Sequence, residues 1–303
     1  MKAATVLQQR WGESWLVGAD AETFWPQLEQ FQVQFQAHCP PATSQDILLA
    51  AAEPVRFLAA FLAACQVPGR VWLANPHWGL GEWQQVAAQC QPDRVIGSVP
   101  EGLWDSSGDR GPRPGSAFAE NSAAQILIPT GGSSGDIRFA VHTWETLVAS
   151  VQGFQQHFHC DLVNAYCVLP LYHVSGLMQA MRCLLWGGKL VIQPFRALLQ
   201  DGAIASPSDP LFLSLVPTQL QRLLDAERDF VPWLRSFTAI LLGGAPASTA
   251  LMQTALELLL PLAPTYGMTE TAAQVATLLP QEFLNGHANS GRALPHANIT
   301  IRD

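Results

Sequence analysis

The chain has 303 residues, 49% hydrophobic and 13% charged, a balance that argues against long disordered tails and provides for a large buried core. Its formal net charge is −8, from 16 basic against 24 acidic residues, and no Lys/Arg cluster appears. A nucleic-acid partner is therefore disfavoured, because phosphate neutralisation needs a basic face; a nucleotide, which needs only a few donors, stays open.

Met1 to Arg10 carry no apolar segment of the kind a secretory leader needs. The longest apolar stretch, Ala239 to Pro264, is interrupted by Gly243, Gly244, Gln253 and Glu257, so no membrane insertion is expected. Cys39, Cys65, Cys90, Cys160, Cys167 and Cys183 form no C-x-x-C pair and sit mostly on apolar stretches. They read as buried free thiols of a cytoplasmic protein.

The length exceeds that of a usual single domain and predicts two lobes. Short β-rich runs at Val71–Ala74, Arg94–Gly97, Ala124–Ile128, Ala165–Leu169, Lys189–Ile192, Leu211–Val216 and Ala239–Leu242 read as strands. Helical patterns lie between them. Thr143–Phe158 places Trp144, Leu147, Val148, Val151 and Phe158 on one face, with Thr143 as its cap and Glu145 in its first turn. A second helix starts at Pro217 with Leu220, Leu223 and Leu224 inward, and a third runs over about 248–260. The alternation predicts an α/β fold with mainly parallel sheets. A Gly/Pro/Ser-rich stretch, Asp105–Gly115, reads as a linker between an N-terminal α/β subdomain (1–115) and a second α/β part (116–303). Asn298–Asp303, with Ile299 and Ile301 alternating, looks like a β segment cut off as it begins.

The sharpest local feature is Ile126–Thr143, ILIPTGGSSGDIRFAVHT. A strand leads into Thr130-Gly131-Gly132-Ser133-Ser134-Gly135, then Arg138 and a short alternating strand. Three glycines let backbone N–H groups converge, the hydroxyls add donors, and Arg138 supplies charge, a nest suited to phosphate oxygens. A P-loop is a poor fit, since no Gly-Lys-Ser/Thr follows. A plain Gly/Ser connector is the competing reading of these residues alone.

Three further motifs follow in order: Leu169–Gly176 (LPLYHVSG), Leu242-Gly243-Gly244-Ala245-Pro246, and Tyr266-Gly267-Met268-Thr269-Glu270. Each alone also admits a structural reading: a core histidine, an ordinary Gly-Gly turn, a solvated glutamate. Together with the loop they resemble the adenylate-forming superfamily of acyl-CoA synthetases, luciferases and peptide-synthetase adenylation domains. The loop departs from that family's pattern, with Gly131 for the first Ser, Ile137 for Pro, Arg138 for Lys and Phe139 for the last Gly.

The resemblance implies the large N-terminal domain of the adenylate-forming fold. It implies ATP and Mg²⁺, with coenzyme A as co-substrate. By the same resemblance Thr130–Gly135 and Arg138 hold the β- and γ-phosphates, Gly243–Pro246 approach adenine and Tyr266 stacks on it. Thr269 holds the α-phosphate, Glu270 reaches Mg²⁺, and His173, with Ser175 and Gly176, borders the carboxylate. The phrases LPLYHVSGL, LVPTQL and IRFAVHTW look like the o-succinylbenzoate–CoA ligase branch of menaquinone and phylloquinone synthesis. In that branch an Arg nine positions after the motif His faces an aromatic dicarboxylate, and Arg182 stands there; an Arg snorkelling from a buried helix is the alternative. The family's ribose-binding Asp, hinge and small lid domain with a catalytic Lys would follow Asp303, so the chain is expected to be a truncated piece, poorly active alone. Another acyl- or aryl-CoA synthetase, an adenylation domain, or a non-catalytic nucleotide-binding module are the alternatives.

Overall fold

The computed structural model describes residues 2–37, 44–104, 124–131, 135–204 and 211–301. In chain order the elements are α1 (Ala3–Gln9), β1 (Leu16–Val17), α2 (Phe24–Ala37), β2 (Gln45–Ala50), α3 (Pro54–Ala64), β3 (Gly69–Leu73), α4 (Leu80–Gln89), β4 (Arg94–Gly97), β5 (Gln125–Gly131) and β6 (Ile137–Thr143). There follow α5 (Trp144–Phe158), β7 (Asn164–Cys167), α6 (Val174–Leu185), β8 (Leu190–Ile192), α7 (Phe195–Asp201), β9 (Leu211–Leu215), α8 (Pro217–Leu224) and α9 (Val231–Arg235). The last are β10 (Ala239–Leu242), α10 (Thr249–Glu257), β11 (Leu262–Met268), β12 (Ala273–Thr277), α11 (Pro280–Leu284) and β13 (Arg292–Ala293).

These elements form two compact units. The first comprises Met1–Glu13, Asp20–Thr146 and Leu171–His173. Its sheet runs β4-β2-β3-β5-β6, parallel through β5 and closed on one edge by the antiparallel β6. Every residue of β2 is buried, as expected of a strand covered on both faces. One core cluster of this unit gathers Leu48, Trp72, Trp83, Val86 and Leu127, with the Trp72 ring edge-on to Phe139 at 4.9 Å. Burying a side chain of this size contributes about 1.5–3 kcal/mol. Asp46 and Arg70 are register partners on β2 and β3, and the guanidinium forks onto the carboxylate, Nε to Oδ1 at 2.7 Å and Nη2 to Oδ2.

The second unit comprises Ser14–Ala19, Leu147–Pro170 and Val174–Asp303. Its sheet runs β1-β8-β7-β9-β10-β11-β12-β13, parallel from β1 to β11 and antiparallel thereafter. A core of Tyr166, Val191, Leu213, Leu220, Ile240 and Leu262 lies among its elements. The buried Tyr166 hydroxyl donates to Gln193 and accepts the Ile204 N–H at 3.0 Å; burial raises its pKa. Cys65, Cys90, Cys160, Cys167 and Cys183 stand outside any disulfide, and burial pushes Cys160 to about 11 and Cys167 to about 12, which keeps both as thiols. Cys39 lies outside the described residues.

The seven strands read between Val71 and Leu242 are all present, with ends shifted by up to three residues. The α5 cap forms as read: the Thr146 N–H donates to Thr143 Oγ1 at 3.4 Å, and Thr146 Oγ1 accepts the Thr143 N–H at 3.0 Å. The division at 115/116 does not coincide with the structural one, because β5 and β6 join the first sheet through β3 and keep residues up to Thr146 in the first unit. No strand forms over 298–301 among the described residues, where Ile299 and Ile301 are exposed.

Candidate functional site

In the first unit, β5 and β6 form a hairpin whose tip is the glycine-rich loop. Thr130 and Arg138 face each other across it, as do Gly131 and Ile137. Gly131, Gly135 and Arg138 are exposed, and Thr130 is half-buried. Gly132, Ser133 and Ser134 lie outside the described residues. The loop end of the hairpin is held from α4: the Ile137 N–H donates to Gln85 Oε1 at 2.8 Å, and Gln89 Nε2 donates to the Ile137 carbonyl at 2.9 Å. These two glutamines, one helical turn apart, fix the backbone next to Arg138. His173 also belongs to this unit, its ring tilted against Tyr172 at 4.7 Å. It is exposed by surface area, yet the surrounding chain desolvates it enough to lower its pKa.

In the second unit, the Gly-Gly loop follows β10, where the Gly243 N–H donates to the Leu215 carbonyl at 3.2 Å. Gly244, Ala245 and Pro246 are exposed. The Tyr266–Glu270 motif spans the end of β11 and the 3-10 turn Thr269–Thr271. Pairing of β11 with β12 shifts register between Tyr266 and Gly267. A Cβ on Gly267 would lie 2.1 Å from the Ala273 carbonyl oxygen, so only glycine lets the strands close here. Tyr266 and Met268 stay 52% and 42% exposed, which leaves a flat aromatic face open at the strand end.

The turn carrying Thr269 and Glu270 is strained. Ala272 and Ala273 both take positive φ, 52° and 81°, a conformation that L-residues with a Cβ adopt at a cost. Two side chains hold it: the Thr271 hydroxyl against the Met268 and Ala273 carbonyls, and the buried Ser150 hydroxyl of α5, which donates to the Ala272 carbonyl at 2.7 Å. The exposed Glu270 suits Mg²⁺, a hard cation that takes one or two carboxylates and completes its shell with phosphate oxygens and water. Among the described residues no group of three or more His, Cys, Asp or Glu could hold a metal by itself.

At the start of α6, Ser175 is exposed, its carbonyl accepting from Gln179 Nε2 at 3.0 Å, and Gly176 is buried. Arg182, two turns on, is 3% exposed. Its guanidinium lies 4.2 Å over the Phe154 ring, and Nη2 donates to Gln274 Oε1 at 2.9 Å. Nε has no partner, and burial without a carboxylate beside it pulls the group down to about 10. A snorkelling arginine would show its head to water; this one does not. Gln274, Ser150, Gln85 and Gln89 escaped the sequence reading, because each acts across distances of 48 to 122 residues without a local signature.

A family model described as "AMP-binding enzyme" matches residues 42–303. A 2-succinylbenzoate–CoA ligase of Listeria monocytogenes is 32% identical over 193 residues, covering 60% of this chain and 39% of that protein. Its counterpart in Geobacillus kaustophilus is 32% identical over 179 residues, covering 58% and 36%. The O-succinylbenzoate coenzyme A synthetase of Bacillus subtilis, solved with AMP, superposes with a TM-score of 0.75 at 19% identity, covering 97% of this chain and 64% of that one. The same Bacillus enzyme with ATP and magnesium ion gives 0.72 at 20% identity, covering 97% and 65%. The chain therefore spans well under half the length of these curated relatives in the matched region and about two thirds of the solved synthetase. With the family model covering most of its length, the chain belongs to the AMP-binding enzyme family and has the fold of its large N-terminal domain.

Proposed function

We propose that this chain is the nucleotide- and acid-binding part of an ATP-dependent carboxylate–CoA ligase that converts o-succinylbenzoate to o-succinylbenzoyl-CoA. A substrate carboxylate oxygen attacks the α-phosphorus of ATP, the bond to the β-phosphate oxygen breaks, and pyrophosphate leaves. The thiol of coenzyme A, releasing its proton, then adds to the acyl carbon, and AMP departs with the bond electrons.

Catalysis of the first step is mainly alignment and charge neutralisation. Arg138 and the glycine loop would hold the terminal phosphates, and Thr269 the α-phosphate, on a turn whose strain is contained by Thr271 and Ser150. Glu270 would hold Mg²⁺, which supplies positive charge between phosphate oxygens. Tyr266 offers its exposed ring to adenine, Gly243–Pro246 offer backbone to its edge, and His173 with Ser175 and Gly176 would border the reacting carboxylate.

Arg182 carries the substrate assignment. A buried guanidinium with an unpartnered Nε and no acidic partner among the described residues is costly unless an anion completes it. The carboxylate of a dicarboxylic acid that is not activated provides that anion in a shape the fork accepts. The names of the relatives point to the same acid.

The test is calorimetric titration of the chain with o-succinylbenzoate and with a benzoate lacking the second carboxylate. Arg182→Ala should weaken the dicarboxylate about ten- to a hundredfold, the loss of one charge-assisted contact of roughly 1.5–3 kcal/mol. ATP and the monocarboxylate should be unchanged. An equal loss on both acids would remove the pairing role, and a lower melting temperature with intact affinities would return Arg182 to a packing role.

A further inference from the structure

We propose that Gln274 is the positioning residue of Arg182, and that it ties the acid-binding arginine to the nucleotide-binding strand through a one-way chain of buried hydrogen bonds. The inference rests on the reading of Arg182 as the partner of the second carboxylate. The Phe154 ring, 4.2 Å from Cζ, seats the guanidinium but offers no acceptor in its edge to set where the N–H groups point. The Gln274 amide oxygen, 2.9 Å from Nη2, fixes the direction.

The orientation of that amide is itself determined. Gln274 Nε2 lies 3.3 Å from Thr277 Oγ1, whose hydroxyl lies 3.0 Å from Thr265 Oγ1, and the Thr265 hydroxyl donates to the Ala276 carbonyl at 3.0 Å. Counting protons from that carbonyl gives one consistent order. Thr265 spends its hydrogen on Ala276, so it accepts from Thr277. Thr277 spends its hydrogen on Thr265, so it accepts from the Gln274 N–H. The Gln274 oxygen is thereby left facing Arg182, and a flipped amide would put donor against donor at Arg182 and acceptor against acceptor at Thr277. Gln274 and Thr277 are 5% and 0% exposed, so water does not compete.

Two consequences follow from the chemistry. The chain ends at Thr265, the residue before Tyr266, so the arginine and the exposed aromatic share one hydrogen-bonded frame. A neutral amide also directs the guanidinium without neutralising it. A glutamate at the same place would satisfy Arg182 internally and compete with the substrate's carboxylate.

Gln274→Met and Gln274→Glu separate these roles, each made in the whole chain with Arg182 intact and with Arg182→Ala. The ligands titrated are o-succinylbenzoate and a benzoate without the second carboxylate. Gln274→Met should weaken the dicarboxylate about tenfold, the scale of one hydrogen bond to a charged group, and leave the monocarboxylate unchanged. In the Arg182→Ala background that loss should vanish, because the residue acts only through the arginine. Gln274→Glu should weaken the dicarboxylate at least as much without lowering the melting temperature, which keeps the test valid if the methionine variant folds poorly. If Arg182→Ala alone leaves dicarboxylate affinity intact, the reading of the arginine fails, and this one with it. If Arg182→Ala weakens binding but neither Gln274 variant does, or their losses persist without Arg182, the positioning role alone is overturned.

Discussion

Gly153 sits in the interior of α5, where glycine costs about 0.8–1 kcal/mol relative to alanine. The structure supplies the reason for its presence. A Cβ there would lie 1.8 Å from Nδ1 of His296, a half-buried ring neither of whose nitrogens has a hydrogen-bond partner. Gly153→Ala should therefore destabilise the protein by about 1–2 kcal/mol through overpacking, despite the gain in helix propensity. In a His296→Ala background the same change should become neutral or mildly stabilising, as denaturant midpoints would show. Equal destabilisation in both backgrounds would mean that the ring is not what the glycine accommodates. Arg182 and Gln274 follow the same logic at the residue scale, for nothing near Gln274 in the sequence marks it as the acceptor for a side chain 92 residues away. A contiguous motif such as Tyr266–Glu270 can be proposed from the sequence because it lies within five adjacent residues, whereas partners that meet only through the fold cannot.

At the scale of elements, legibility followed local boundaries. Arg94–Gly97 and Ala239–Leu242 are strands to the residue, being short apolar runs with clear ends. β1 is two residues long and exists through its pairing with β8, which no local pattern announces. β5 runs past its expected end to Gly131 because β6 pairs with it along its whole length. The edge strand β6 is in turn held by α4, where Gln85 and Gln89 satisfy both backbone groups of Ile137 beside Arg138. This clamp makes a prediction about the phosphate loop. Gln85→Leu removes the acceptor of the Ile137 N–H, a loss of about 1 kcal/mol, and should loosen the start of β6. ATP·Mg²⁺ affinity should fall roughly fivefold by that measure, while AMP, which lacks the phosphates assigned to this loop, should change by less than about twofold. Calorimetry with both nucleotides decides the matter, and parallel losses would place the effect elsewhere than the loop.

For the whole molecule, the two units have separate sheets, and each carries a histidine whose pKa folding lowers. In the second unit desolvation lowers the pKa of the buried His157; Arg292 and His159 add to the shift, while Glu282 and a hydrogen bond with the Thr277 backbone oppose it. His296 is lowered by desolvation and then by the charge of Arg182, and in the first unit His173 is lowered by desolvation. Each folded pKa lies below the ordinary value of 6.5, so near that pH the unfolded chain holds more protons than the native one. Stability is then full above 6.5 and is lost as the pH falls through the folded values. Glu282, held down by the Leu279 N–H and by Arg292, also loses its contribution in acid, but below its ordinary 4.5, so the two windows are separate. Denaturant midpoints taken between about pH 8 and 5 should decline through the upper window, before the carboxylates titrate. His157→Gln keeps a polar side chain without a titrating proton and should flatten that decline, by up to about one proton in the linkage slope. A midpoint that stays level through the window, or a slope that His157→Gln leaves unchanged, would show that His157 is protonated as readily in the folded chain as in the unfolded one.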